Sequence, residues 1–251
     1  MGNLKAAIVF LTRVPMRLKH EPSLTDAVPW FPVVGALVGA FVGGVAAGLQ
    51  QVVPPLVAAA VAVLLGVLLT GAFHEDGLAD VADAFAGGWT AADRLRILKD
   101  PLHGSYGVAA MCGSILLRVV AIGSLGASSA AVFACVIAAH TLGRGTSVVL
   151  MGTIRVAREE GLGADYARSL GRGRAGTGVM AAVAIAALAT GWWVGPFILA
   201  ATIGGAVITW LAIRKIGGVT GDVLGAAEQI VECLTLVTAT GLTTRYGLWW
   251  S

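Results

Sequence analysis

The chain has 251 residues, of which 57% are hydrophobic and only 12% charged, and its mean hydropathy is +0.85. This excludes an ordinary water-soluble domain, which averages about 25% charged residues, and predicts a single all-α domain over residues 1–251, a polytopic membrane helical bundle. The formal net charge of +3 reflects the basic loops typical of membrane proteins, so it does not indicate nucleic-acid binding.

The predicted elements begin with an N-terminal interfacial helix in residues 4–18, which are apolar, interrupted by basic side chains and too short to span a bilayer. The first predicted span carries Gly35, Gly39 and Gly43 at intervals of four, a pattern that predicts a close helix-packing face. About seven transmembrane helices are expected, at roughly 31–50, 56–73, 107–125, 129–152, 176–194, 196–213 and 224–242.

The Lys and Arg residues outside these spans are distributed very unevenly. Fourteen lie in the N-terminal segment and in the connections 74–106, 153–175 and 214–223, whereas only Arg245 lies on the opposite side. An excess of basic residues marks the cytoplasmic side. We therefore expect the three polar connections to share the cytoplasmic face, where they can converge on one site.

The connection 74–106 carries the most distinctive pattern in the chain. Asp76, Asp80 and Asp83 recur at i, i+4 and i+7, which places three carboxylates on one face of a helix. Carboxylates this close repel one another unless protons, basic groups or a metal neutralise them, and Mg²⁺ prefers oxygen ligands. The pattern therefore predicts a magnesium site, although a solvated acidic helix end has the same spacing.

Four charged residues fall inside predicted spans, namely Arg118, Arg144, Glu228 and Glu232. A charge near the bilayer centre costs roughly 2.5–3.5 kcal/mol, so such side chains usually face a partner or a cavity. One interpretation is buried Arg–Glu pairs that fix helix register. For Arg144, which lies nearer the cytoplasmic end of its span, a guanidinium clamp on substrate phosphate is the favoured interpretation.

Two further polar segments lie on the same side. Thr220 and Gly221 precede the last span within a glycine-rich turn, and the backbone amides of a helix start can bind an anion; Asp222 beside them can instead be a simple N-cap. Lys99 and Asp100, near the start of the third span, are predicted to bind the substrate or its phosphate. His103 is interpreted as an ordinary loop histidine. Together these features predict metal-dependent phosphoryl transfer in which an alcohol attacks a diphosphate.

Several motifs, in order along nearly the whole chain, resemble those of the cobalamin synthase family, the adenosylcobinamide-GDP ribazoletransferases. The motifs are FHEDGLADVADAF at 73–85, KDPLHGSYG at 99–107, RGT at 144–146, AREEGLG at 157–163 and GGVTGDVLGAA at 217–227. The early FLTRVP at 10–15 matches as well. Because several motifs match in order, the resemblance is specific.

The resemblance implies a transferase of the bacterial inner membrane, with its active site facing the cytoplasm, that acts on adenosylcobinamide-GDP. In that family the ribose 3′-hydroxyl of α-ribazole, or of its 5′-phosphate, attacks the cobinamide-side phosphorus and GMP leaves. The implied cofactor is Mg²⁺. By motif, Asp76, Asp80 and Asp83 are the catalytic and metal-binding residues, Glu75 and Asp222 are further metal ligands, and Arg144 and Arg158 bind phosphate. The implied partners are these small molecules and the lipid bilayer, with the oligomeric state left open.

Two other functions stay open at this point. Intramembrane charges and glycine-rich spans are also typical of transporters and ion-coupled carriers, but these place their key charges near the bilayer midplane. The acidic cluster here lies at the end of a span and in the connection beyond it. A CDP-alcohol phosphotransferase would share the chemistry, and the DGxxD pattern at 76–80 is loosely similar to the acidic motif of those enzymes.

Overall fold

The fold is seen in a computed structural model that describes residues 2–17, 24–126, 128–157 and 170–248. Within these ranges the secondary structure is helical, apart from one bridge between Val156 and Val219, which confirms the all-α prediction. The helices are α1 (Gly2–Leu11), α2 (Leu24–Ala27), α3 (Phe31–Leu49), α4 (Pro55–Thr70), α5 (Phe73–Gly87), α6 (Ala91–Ile97), α7 (Ser105–Gly123), α8 (Ser129–Thr153), α9 (Arg172–Thr190), α10 (Val194–Ile216) and α11 (Gly221–Thr243).

Helices occupy all seven of the predicted spans, which confirms a polytopic membrane bundle. By length and apolarity, five helical segments of the described chain can cross a membrane, and a sixth is added if α4 and α5 count as one bent span. One of the five, Arg172–Ile216, contains both α9 and α10. The predicted second span is short, because α4 has 16 residues and is therefore only about 24 Å long.

A sharp bend separates α4 from the acidic helix α5. Gly71 ends α4 with φ 69° and Ala72 follows with φ 59°, and a left-handed residue of this kind terminates a helix. The two helix axes then differ by 89°. As a result α5 crosses the end of the bundle and packs against α7 and α11.

The glycine stripe of the first span forms the predicted packing face. A Cβ atom at Gly39 would lie 2.7 Å from the Cα of Ile137, and one at Gly43 would lie 3.1 Å from the Cα of Phe133. These distances leave no room for a side chain, so the glycines allow α3 and α8 to pack backbone against backbone. The prediction of a close helix contact is confirmed, with α8 as the partner.

The N-terminal helix is shorter than predicted. It covers Gly2–Leu11 rather than 4–18, since residues 12–17 leave the helix and residues 18–23 lie outside the described ranges. Leu11 is buried, and the Phe10 ring stacks on Phe31 with 5.5 Å between centroids. The N-terminal helix is therefore packed against the bundle along one side.

Candidate active site

The acidic face of α5 is organised around a histidine from the following loop. His103 Nε2 lies 3.2 Å from Asp76 Oδ1, and His103 Nδ1 lies 3.4 Å from Asp80 Oδ1. A protonated His103 thus places one positive charge between the two carboxylates. The sequence interpretation of His103 as an ordinary loop residue missed this contact, because the two segments are more than twenty residues apart and meet only through the fold.

Asp83, the third member of the acidic series, has a different set of partners. Its carboxylate accepts hydrogen bonds from the backbone N–H groups of Gly104, at 2.6 Å, and Gly107, at 2.9 Å. These donors lie at the start of α7, where a carboxylate is stabilised by unpaired amides and the helix dipole. Asp83 therefore ties α7 to α5, and this engagement disfavours the predicted catalytic and metal-binding roles for it.

The turn that opens α11 packs directly on α5. A Cβ atom at Gly77 would lie 2.9 Å from the carbonyl oxygen of Asp222, so the two backbones touch. Thr220, rather than Asp222, is the N-cap, because its hydroxyl accepts from the N–H of Val223 at 3.3 Å and donates to Asp222 Oδ2 at 3.2 Å. The predicted anion-binding residue Gly221 is exposed, and no atom lies within 4 Å of the position that its Cβ would take.

The electrostatics of this face follow from the same geometry. The pKa of Asp80 is raised to about 6, first by burial and then by the nearby negative charges of Asp76 and Asp222, while His103 lowers it. Burial and like charges both disfavour an ionised carboxylate. Three carboxylates from α5 and α11 therefore repel one another here, and a bound cation would relieve that repulsion.

The third polar connection also reaches this end of the bundle. Ala157 N–H donates to the carbonyl of Val219 at 2.9 Å, and Val219 N–H donates to the carbonyl of Arg155 at 3.0 Å. The start of the 153–175 connection is therefore paired with the turn before α11. Arg158, the predicted phosphate ligand, lies outside the described residues.

The residues predicted in the 99–103 loop divide into two groups. Lys99 and Asp100 are exposed, and Asp100 Oδ1 accepts from the N–H of Leu102 at 3.0 Å. This hydrogen bond shapes the turn that carries the chain to His103. Lys99 and Asp100 thus lie on the loop beside the acidic face, and phosphate binding by them stays a prediction.

Glu75 faces away from the acidic face, although it is adjacent to Asp76 in sequence. Its side chain is 2% exposed, and its Oε1 accepts from Arg118 Nη2 at 2.7 Å and from Gln229 Nε2 at 3.3 Å. Arg118 also lies 3.4 Å from Glu232. A carboxylate neutralised by a buried guanidinium has little charge left for a metal, so this placement disfavours Glu75 as a metal ligand, a role that stays a prediction.

Arg144 belongs to the same buried network rather than to the open site. It is 1% exposed, and its Nη1 lies 2.8 Å from both Glu228 Oε1 and Glu232 Oε1. The contact with Glu232 is a hydrogen bond, whereas that with Glu228 is ionic, since Glu228 Oε1 has no hydrogen-bond partner. His140 and His74 pair with Glu232 and Glu228 at 2.6 and 2.9 Å. Buried Arg–Glu pairing, one of the two sequence interpretations, describes Arg144 as well as Arg118.

The open part of the site fits Mg²⁺ better than a metal that needs a full protein cage. Within the described ranges, no group of three or more His, Cys, Asp or Glu side chains is placed to hold a metal ion. Mg²⁺ usually needs only one or two carboxylates, because it retains waters and binds substrate phosphates. Asp76 and Asp80, which share His103 and repel each other and Asp222, match that requirement.

The contact between α5 and α11 gives a first prediction. Gly77→Ala is expected to destabilise the protein by about 1–3 kcal/mol, because the new methyl group must displace the backbone at Asp222. Gly87→Ala is the matched control, since it lies on the same helix with no atom near its Cβ position. Thermal unfolding in detergent measures both variants. Equal unfolding temperatures for the two would contradict the close packing of α5 on α11.

The chain is similar to known proteins over most of its length. The cobalamin-5-phosphate synthase family matches residues 3–240. Adenosylcobinamide-GDP ribazoletransferase of Ralstonia nicotianae is 38% identical, covering 93% of both chains, and the protein of the same name from Chlorobium chlorochromatii is 34% identical, covering 98% of both. No solved structure matches. The chain therefore belongs to the cobalamin-5-phosphate synthase family.

Proposed function

We propose that the chain transfers the cobinamide-phosphate group of adenosylcobinamide-GDP to α-ribazole or α-ribazole 5′-phosphate, releasing GMP. The family match over almost the whole chain and the names of its relatives support the activity. The structural observation that carries it is the meeting of the acidic face of α5 with the open, glycine-rich start of α11. A phosphoryl-transfer site needs a metal-binding group and an anion-binding group in such proximity.

In this proposal Asp76 and Asp80 would hold Mg²⁺ beside the diphosphate, and the carboxylate of Asp222 would add negative charge to the same site. When bound, Mg²⁺ neutralises charge on the diphosphate and on the departing GMP. The backbone amide of Gly221, an exposed residue at the start of α11, would bind a phosphate oxygen, since a helix start carries N–H groups and a positive dipole end. The carboxylate of Asp76 is 61% exposed and therefore accessible to a ligand.

The attacking hydroxyl must lose a proton, and a carboxylate of the acidic face would receive it as general base. Asp83 is not suited to this role, because two backbone N–H groups already occupy its oxygens. Its function would be to hold the loop that carries His103 against Asp76 and Asp80. The site would face the cytoplasm of the bacterial inner membrane, as the distribution of basic residues predicts.

The buried network has a supporting role in this proposal. Glu75 and His74 directly precede Asp76 and are held by Arg118 of α7 and Glu228 of α11. Since residues one position apart on a helix point about 100° apart, fixing the buried pair also fixes the direction of Asp76. A transporter would need these charges to exchange partners, whereas here they are paired with one another in the core.

The test is to incubate membranes containing the protein with adenosylcobinamide-GDP, α-ribazole and Mg²⁺ and to measure cobalamin and GMP. We expect both products in equal amounts, and none when Mg²⁺ is removed by a chelator. Release of CMP from a CDP-alcohol, with no GMP from adenosylcobinamide-GDP, would favour the CDP-alcohol phosphotransferase alternative. A folded protein that forms neither product would contradict the proposal.

A further inference from the structure

A cavity lies away from the acidic face. It has a volume of about 550 Å³, within the range of roughly 300–1,000 Å³ typical of ligand sites. Every residue that lines it belongs to α8, α9 or α10, and none belongs to α5 or α11. Because these helices are membrane-spanning segments, the cavity opens within the depth of the bilayer.

Small residues create this cleft. A Cβ atom at Gly145 of α8 would lie 2.7 Å from the Cβ of Ala182 on α9, and one at Gly205 of α10 would lie 2.9 Å from the Cγ2 of Thr146 on α8. Both α9 and α10 therefore pack closely on α8. The cleft is the space between α9 and α10 on the surface of α8.

The shape and lining of the cleft match a hydrocarbon chain. Its lining runs along α10 from Ile198 to Ile213, a length of about 22 Å, which exceeds the depth of roughly 15 Å of one leaflet in a hydrocarbon core about 30 Å thick. The lining is mostly aliphatic, and the hydroxyl of Thr146 is already bonded to the carbonyl of Leu142 at 3.0 Å. A charged nucleotide would find no ionic partner among these residues.

A basic residue marks one end of the cleft. The guanidinium of Arg214 lies 4.8 Å from the ring centroid of Trp210, which lines the cleft, and both side chains are exposed. Arg214 directly follows Ile213 and lies near the end of α10, where the chain leaves the membrane-spanning segment. Aromatic and basic side chains in this position are typical of the bilayer interface, where lipid phosphates lie.

We infer that this cleft binds an anionic glycerophospholipid, with one acyl chain along α10 and the phosphate against Arg214. The length of the lining, its apolar character and the position of Arg214 at the interfacial end all support this assignment. The inference does not depend on the proposed transferase activity, since the cleft and the acidic face share no residue.

The test is native mass spectrometry of the detergent-purified full chain, titrated with phosphatidylglycerol or with phosphatidylcholine. We expect phosphatidylglycerol to bind about fivefold more tightly, the effect of one arginine near a lipid headgroup. Ala206→Phe should fill the cleft and remove most binding of both lipids, whereas Val207→Phe, an equally exposed neighbour outside the cleft, should not. Arg214→Gln should abolish the headgroup preference, and Arg245→Gln should retain it.

Two results would overturn the inference. Equal lipid binding by Ala206→Phe and Val207→Phe would mean that the lipid belongs to the general lipid layer around the protein and not to the cleft. An undiminished preference for phosphatidylglycerol in Arg214→Gln would remove Arg214 from the site. If Ala206→Phe does not fold, Thr202→Leu, which narrows the same cleft at an exposed position, provides the same comparison.

Discussion

Replacing Asp80 by Asn is expected to lower cobalamin formation by about 10³-fold or more, the size of effect that follows loss of a metal-binding or general-base carboxylate. The side chain keeps its size and loses only its charge, so protein levels in the membrane should be unchanged. Asp76→Asn should act in the same direction, because both carboxylates contact His103 on the open face. The measurement is the rate of GMP release in membranes with matched amounts of protein.

Asp93→Asn is the control for loss of one negative charge. Asp93 caps α6 through Thr90 and is exposed on its own helix, so its substitution should leave the rate nearly unchanged. The main effect of Asp83→Asn should be a loss of stability, with a smaller effect on the rate, since the Asp83 carboxylate accepts hydrogen bonds from two backbone amides. Wild-type rates in both Asp76→Asn and Asp80→Asn would show that the acidic face is not the active site.

Replacing Arg118 by Met is expected to destabilise the protein by about 3–5 kcal/mol, because it leaves the buried carboxylate of Glu75 without its guanidinium partner, whereas Glu232 keeps Arg144 and His140. Arg96→Met is the control, since Arg96 is exposed and surface substitutions usually change stability by less than about 0.5 kcal/mol. The free energy of unfolding can be measured by titration with a denaturing detergent.

A second substitution separates the ion pair from simple loss of packing. Adding Glu75→Gln to Arg118→Met removes the unpaired charge of Glu75, so the double variant should be more stable than Arg118→Met alone. If Glu75→Gln instead adds its full cost to that of Arg118→Met, the two side chains are not energetically coupled. Such a result would remove the basis for treating the network as the element that orients α5.

The sequence predicted those parts of the fold that depend on local sequence patterns. Long apolar runs specify membrane helices, and the Gly35, Gly39 and Gly43 stripe specifies a packing face without naming its partner. The bend between α4 and α5 was not visible in this way. It depends on Gly71 and on a left-handed Ala72, a conformation that alanine rarely adopts and that the surrounding packing must impose.

The sequence predicted the acidic face of the candidate site, but not which partner each of its carboxylates contacts. Helical spacing placed Asp76, Asp80 and Asp83 together, but Asp83 meets the start of α7, and Glu75 meets Arg118. These partners come from distant parts of the chain, so no local spacing reveals them. The ion pairs of Arg144 were not visible for the same reason, since its partners on α11 lie 84 and 88 positions further along the sequence.

The central claim is that α5 and the start of α11 together form one metal-dependent site. Its most direct test is electron paramagnetic resonance of Mn²⁺, substituted for Mg²⁺, bound to the purified protein. Wild type should bind Mn²⁺, and Asp80→Asn on α5 and Asp222→Asn on α11 should each weaken that binding by about tenfold or more, while Asp93→Asn should not. Wild-type Mn²⁺ affinity in Asp222→Asn would contradict the claim that both helices contribute to one site.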